Sequence, residues 1–312
     1  MTEAKPRVVA LSGGVGGAKL ALGLSRVLAP GELMVVANTG DDFEHLGLAV
    51  SPDLDTLLYT LAGLDNPETG WGRRNESWTF MAALEALGGE TWFKLGDGDL
   101  ATHVERTRRL REGERLSAIA DDFRRRLGIA ARIAPMSDNP VRTRVRSDEG
   151  WLDFQDYFVR RQCAPRVHEI RFAGAEAAQP AAGFMEALAD PDLRAIVLCP
   201  SNPFISIEPI LAVSGVRAAL RAAPAPVVAV SPIIAGRAVK GPTAKMMQEL
   251  GVEPSAAAVA RRYGDLIDAF VLDEADAPVP GVRCVPARTL MLTLADREAL
   301  ARTVLDAADA VR

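Results

Sequence analysis

The stretch RVVALSGGVGGAKLALGLSRVL, residues 7–28, decides the fold. An apolar run, Val8 to Leu11, breaks into Ser12-Gly13-Gly14-Val15-Gly16-Gly17 and resumes with helical spacing, Leu20, Leu24, Val27 and Leu28 recurring as one buried face. It reads as strand, glycine turn, helix. Glycines let a backbone run close to a ligand and reach positive φ, and the N–H groups that open the following helix make an anion site. A phosphate-bearing ligand over Ser12, Gly13, Gly14, Gly16 and Gly17 is therefore expected. Two familiar phosphate loops do not match. A G-x-G-x-x-G fingerprint meets Lys19 where its third glycine belongs, and a G-K-[ST] loop fails because Ala18 precedes Lys19 and Leu20 follows it.

Outward from that unit, apolar runs keep ending in polar loops. Leu33 to Ala37 leads into Asn38-Thr39-Gly40-Asp41-Asp42, Thr91 to Leu95 into Gly96-Asp97-Gly98-Asp99, Ala195 to Cys199 into Pro200-Ser201-Asn202-Pro203, and Val227 to Ser231 into Pro232. In open parallel sheets ligands sit beyond the carboxyl ends of strands, so these loops are expected around one cleft. Asp41 and Asp42 there could hold Mg²⁺ against a diphosphate or orient a hydroxyl. Ser51-Pro52-Asp53-Leu54-Asp55 opens a helix with Ser51 as N-cap, and Asp53 reads as a partner of that helix's own dipole. Asp55 lies deeper. Lys94 brings a cation to the acidic turn, Ser201, Asn202 and Ser206 offer hydrogen bonds, and Gly241, Pro242 and Lys245 form a second candidate anion site at a helix start.

From Val104 to Leu127 the pattern is helix, break at Gly113, helix, with arginines interleaved among Glu105, Glu112, Glu114, Asp121 and Asp122. With the hairpin signature of 141–159 behind it, this suggests a winged helix, but the alternating charges read as a solvated face stabilised by i, i+4 pairs. A net charge of −5 also argues against general nucleic-acid or anionic-membrane binding. Three scattered cysteines with no C-x-x-C fit a reducing cytoplasm, and no apolar stretch has the ~20 uninterrupted residues a bilayer helix needs. With 48% apolar residues in 312, the chain can bury a large core.

SGGVGGAK (12–19), NTGDD (38–42), SPDLDT (51–56), KLGDGDLATH (94–103), PMSDNPV (135–141), CPSNPFISI (199–207), SPIIAG (231–236) and KGPTAK (240–245) follow one another along nearly the whole chain. That set resembles the 2-phospho-L-lactate transferase family of coenzyme F-420 biosynthesis, and NTGDD with Gly70-Trp71-Gly72 looks like its bacterial branch. The resemblance implies transfer of a phosphorylated three-carbon acid from a guanosine diphosphate-linked donor to the ribityl hydroxyl of the deazaflavin Fo, with Mg²⁺ and release of GMP. The family's deazaflavin-contacting aspartate and basic residue carry onto Asp55 and Lys94. Catalytic and metal roles then fall to Asp41, Asp42 and Asp55, phosphate binding to the 12–17 loop, Gly241 and Lys245, and the guanosine half to Ser201, Asn202 and Ser206. A cytoplasmic homodimer is expected. A related family of nucleotide-sugar-binding regulators, which shares the glycine loop and NTGDD, is the alternative.

The expected architecture is a Rossmann-like α/β fold, an open and mostly parallel sheet with helices on both faces. Residues 1–103 and 190–312 form its core, and 104–189 an inserted helical and β-hairpin lobe.

Overall fold

Val8 to Leu11 are wholly inaccessible to solvent, as a continuous apolar run must be when both faces of its strand are covered. In the computed structural model, which describes residues 5–238 and 241–312, this run is the first of seven strands in a central sheet. They are β1 Val8–Ser12, β2 Leu33–Ala37, β3 Arg132–Pro135, β4 Ala195–Leu198, β5 Val227–Val230, β6 Ala269–Asp273 and β7 Cys284–Ala287. Their spatial order is β3-β2-β1-β4-β5-β6-β7, and every pair is parallel. All carboxyl ends therefore share one edge. The order reverses between β1 and β4, which opens a crevice outside the ends of those two strands, where this class of sheet binds ligands.

Alternation along each strand separates two cores. Val8, Ala10, Leu33, Val35, Ala195 and Val197 face helices α1 Gly14–Val27, α2 Pro52–Ala62 and the closing helix Leu294–Asp309. Gly23 lets α1 meet that closing helix, because a Cβ there would lie 2.1 Å from the Arg297 carbonyl oxygen. Val9, Leu11, Met34, Val36, Ile196 and Leu198 face the other core, together with Val145, Leu152, Phe154 and Tyr157 of an antiparallel sheet and the segment that follows its hairpin. That sheet pairs Arg142–Ser147 with Gly150–Asp153 and with Val167–Ala173. The hairpin was legible; its third strand was not.

Thr91 to Leu95 is not a strand. Its rings pack elsewhere. Phe93 stands edge-on to Phe43 at 4.8 Å and Trp92 to His45 at 5.0 Å, closing a small aromatic cluster over the hairpin Phe43–His45/Leu48–Val50. The Asp97 carboxylate accepts from the N–H groups of Thr79 and Phe80 and so anchors α3, Thr79–Ala86. Helix α4 begins earlier than expected, at Asp97, and runs to Arg111, while α5 spans Leu116–Arg126. The boundary at 104 also cuts through the core, since β3 belongs to the central sheet and Ala120 of α5 to its helical core. Among the described residues no single helix is long and apolar enough to cross a membrane.

Candidate functional site

The glycine turn closes directly onto the loop that follows β4. Gly13 N–H donates to Ser201 Oγ at 3.1 Å, and a Cβ added at Gly16 would stand 2.4 Å from the Pro200 carbonyl oxygen. At Gly17 it would meet Ser12 Oγ at 2.3 Å and Ser201 Oγ at 2.5 Å. These glycines are thus required by the approach of two loops, while Gly14 supplies the left-handed backbone, φ +62°, that turns strand into helix. The Gly14 N–H already has an anion: it donates to Asp53 Oδ1 at 2.7 Å. Asp53 is buried rather than serving its own helix, and its other oxygen accepts from Asn38 Nδ2 at 2.9 Å. Asn38 also donates to the Ile205 carbonyl and accepts from Gly40 N–H, tying the ends of β1, β2 and β4 into one unit.

Beside this unit lie Asp41 and Asp42, both buried, each with one carboxylate oxygen lacking a hydrogen-bond partner. Ser51 does not cap α2 with its side chain; its hydroxyl donates to Asp42 Oδ2 at 2.8 Å. Burial pushes the Asp42 carboxyl up to about 7, against the pull of Arg142 and the Ser51 hydrogen bond. Burial and the neighbouring Asp53 carboxylate hold Asp41 well above the ordinary carboxylate range, and burial raises Asp53 to about 6 despite its hydrogen bonds from Asn38 and Gly14. Three buried acids stand side by side there, with Arg142 and Arg106 acting on Asp42 from nearby. A cation bound among them would favour their charged forms.

Further along α2, Asp55 is differently placed. Arg106 of α4, with 1% of its side chain exposed, clasps both carboxylate oxygens, Nη1 at 3.0 Å from Oδ2 and Nη2 on Oδ1. His103 Nδ1 lies 3.6 Å from the same Oδ2, and its Nε2 is 3.1 Å from Asp99 Oδ2. Tyr59 donates to Asp99 Oδ1 at 2.6 Å and lies 2.9 Å from Thr102 Oγ1. Burial works against ionised Asp99, but the neighbouring His103 and the hydrogen bond from Tyr59 hold its carboxyl below the usual range. Asp99 reaches a shallow surface cleft whose wall includes Lys94, Arg73, Trp71 and Trp78. Both tryptophans are exposed, 51% and 43%.

The structure thus gathers Ser12, Gly13, Gly14, Gly16, Gly17, Ser201 and Ser206 at the crevice with Asp41 and Asp42. Asp55 and Lys94 belong to the adjoining α2/α4 wall. Asn202 uses its Oδ1 locally, accepting from Phe204 N–H at 2.9 Å. Lys245 does not join the others: its ammonium is held by Glu249 at 2.7 Å and the Pro165 carbonyl at 3.0 Å, over the Tyr157 ring. Gly241 is exposed, and Lys240 of the same motif lies outside the described residues. Asp55, expected among the metal ligands, is clasped by Arg106, and with Asp99 and His103 it brings potential ligand atoms within 4.8 Å of one another. Asp53, read as a partner of its own helix's dipole, turns instead to Gly14 and Asn38, and Tyr59 and Arg106 escaped the sequence reading. Arg106 was one of many arginines on a helix read as solvated, and only its burial separates it from the rest.

A family model described as 2-phospho-L-lactate transferase CofD matches residues 8–307. The chain is 44% identical to a phosphoenolpyruvate transferase of Kitasatospora aureofaciens, over 98% of this chain and 99% of that protein. It is 42% identical to a 2-phospho-L-lactate transferase of Methanopyrus kandleri, with 96% of each chain covered. Among solved structures, a UPF0052 family protein from Bacillus halodurans superposes with a TM-score of 0.65, covering 97% of this chain and 99% of that one at 13% identity; that likeness concerns the fold alone.

Proposed function

The chain belongs to the 2-phospho-L-lactate transferase family, a transferase family of coenzyme F-420 biosynthesis, and from that premise we propose what it transfers and how. The donor is a guanosine diphosphate-linked phospho-acid and the acceptor the ribityl hydroxyl of Fo, with GMP leaving. The names of the bacterial relatives put phosphoenolpyruvate first among the three-carbon acids.

The observation that carries this reading is the pair Asp41 and Asp42, buried at the switch crevice with an unpartnered oxygen each. Hard oxygen donors of this kind fit Mg²⁺, which retains waters and takes one or two carboxylates plus substrate phosphates. When bound, the ion would neutralise charge on the diphosphate oxygens as the phosphoryl group moves. The rest of the work falls to the chain. The 12–17 turn and Ser201 and Ser206 line the crevice for the diphosphate and the guanosine half. Asn38 and Ser51 fix Asp53 and Asp42 through hydrogen bonds of 2.9 and 2.8 Å, so the acids are oriented before ligands arrive. Lys94 and the α2/α4 wall face the acceptor. Little covalent participation by protein is needed for such a transfer; positioning and charge placement suffice.

The test is to incubate the protein with Fo, Mg²⁺ and, in turn, guanylylated phosphoenolpyruvate, phospholactate and phosphoglycerate, and to weigh the products. Fo esterified with phosphoenolpyruvate should dominate, and chelation by EDTA should abolish turnover until Mg²⁺ is restored. Turnover undiminished by EDTA would remove the ion from the mechanism, and inertness toward all three donors would overturn the reading.

A further inference from the structure

The PMSDNPV stretch, residues 135–141, spends its polar side chains locally. Ser137 Oγ donates to the Gln179 carbonyl at 2.6 Å, Asp138 accepts from Ser117 N–H at 2.8 Å, and Asn139 Oδ1 accepts from Gln179 N–H at 2.9 Å. The stretch carries the chain from β3 to Arg142 and Thr143, which open the antiparallel sheet. There the sheet meets the 38–42 turn of the crevice. Thr143 N–H donates to the Gly40 carbonyl at 2.7 Å, Gln155 Nε2 donates to the Asp41 carbonyl at 3.1 Å, and a Cβ added at Gly40 would stand 2.6 Å from Thr143 Oγ1. Thr143 is 1% exposed and its hydroxyl has no hydrogen-bond partner. Arg142 beside it is exposed, and its charge acts on Asp42 more strongly than that of Arg106.

Taking the proposed donor as given, we propose that Arg142 binds the carboxylate of its three-carbon acid, so that the antiparallel sheet reads the acid while the glycine turn holds the diphosphate. All three candidate acids carry that carboxylate; GDP and a guanosine diphosphate-linked neutral sugar do not. Asp41, Asp42 and Asp53 already stand buried at the crevice, so a further anion there needs a cation of its own. The lysines of the site motifs are committed elsewhere. Lys19 donates to the Met291 carbonyl at 3.0 Å, Lys245 is held by Glu249 and Pro165, and Lys94 lines the acceptor wall. Arg142 makes no ion pair among the described residues, and its Nη1 donates to the Val141 carbonyl at 2.8 Å, which leaves the Nε and Nη2 edge of the guanidinium. That edge presents two parallel donors, the geometry a planar carboxylate accepts. Arg142 pairs with Ala173 and its neighbour is tied to Gly40, so the guanidinium rides on a strand anchored to the turn before a ligand enters.

The experiment measures, by calorimetry with Mg²⁺ present, the binding of guanylylated phosphoenolpyruvate and of GDP to the wild type, Arg142→Gln and Arg142→Lys, together with heat unfolding and the KM for Fo. Arg142→Gln should weaken the guanylylated acid by on the order of 10²-fold, while GDP affinity and the KM for Fo change by less than about threefold. The melting temperature should hold, because Arg142 is exposed. Arg142→Lys should lie between, being a charge without the fork. GDP is the control for Asp42: losing a charge beside that carboxylate would weaken both ligands alike. Equal loss for GDP and the guanylylated acid, or no loss for either, overturns the assignment. So does wild-type protein that binds the guanylylated acid no tighter than GDP. Wild-type protein that binds the donor yet never converts Fo fails the proposed function instead, while the two affinities still decide the role of Arg142.

Discussion

Replacing Arg106 by methionine isolates what the buried ion pair contributes. The side chains of Arg106 and Asp55 are 1% and 7% exposed, so the variant leaves a carboxylate in the interior, beside Asp99, with its bidentate partner gone. Breaking a buried pair from one side costs about 3–5 kcal/mol. With an unfolding entropy of ~2.1 cal/mol/K per residue, each kcal/mol moves the melting temperature of a chain this long by roughly 1.5 °C, so a fall of about 5–8 °C is expected. Removing both charges, Asp55→Asn with Arg106→Met, leaves neither ion stranded and should recover at least about half of that loss. Urea unfolding of the four proteins supplies the cycle and its coupling energy. If Arg106→Met costs under about 1 kcal/mol, or the double variant loses the sum of the two single losses, Asp55 is not held as described.

Other outcomes follow from the same geometry. Asp42 binds its proton up to about pH 7 when folded, whereas its ordinary value is 3.8, so the folded chain holds a proton the unfolded chain has lost between those limits. That contribution is present in full below the window and disappears as pH rises through it; Asp42→Asn should therefore show a flatter fall in stability from about pH 4.5 to about 7.5, and an equal slope in both proteins would contradict the burial argument. Gly16→Ala should lose about 1–3 kcal/mol and most activity, because the new Cβ meets the Pro200 carbonyl at 2.4 Å, and an unchanged melting curve with full turnover would show the loop contact to be slack. Lys245→Gln should leave the donor KM within about threefold, since its ammonium is already bound to Glu249 and Pro165; a tenfold rise would place it at the phosphates after all.

The sheet was legible because Val8 to Leu11, Leu33 to Ala37 and their parallels are unbroken apolar runs, which buried parallel strands require and solvated ones cannot carry. The shared carboxyl edge was legible for the same reason at Ser12, Asn38, Pro200 and Pro232, where a polar loop does end such a run, but the loop at Gly96 follows no strand. The Trp92-Phe93 segment misled because two aromatic residues favour strands by the same hydrophobicity that here packs them edge-on against Phe43 and His45. Asp53 and Asp55 sit two residues apart in one first turn, and nothing local distinguishes them; one turns to Gly14 of α1 and the other to Arg106 of α4 only once those helices are in place. Lys245 shows the converse, a motif cation whose partners, Glu249 one turn on and Pro165 on another segment, took it out of the site.

The most direct measurement is the stoichiometry of a single reaction: protein, Fo, guanylylated phosphoenolpyruvate and Mg²⁺, with GMP and esterified Fo quantified together over time. One GMP should appear for each Fo consumed, and none when Fo is omitted. GMP released at the same rate without Fo, or Fo left unmodified while the donor disappears, would contradict transfer to the deazaflavin.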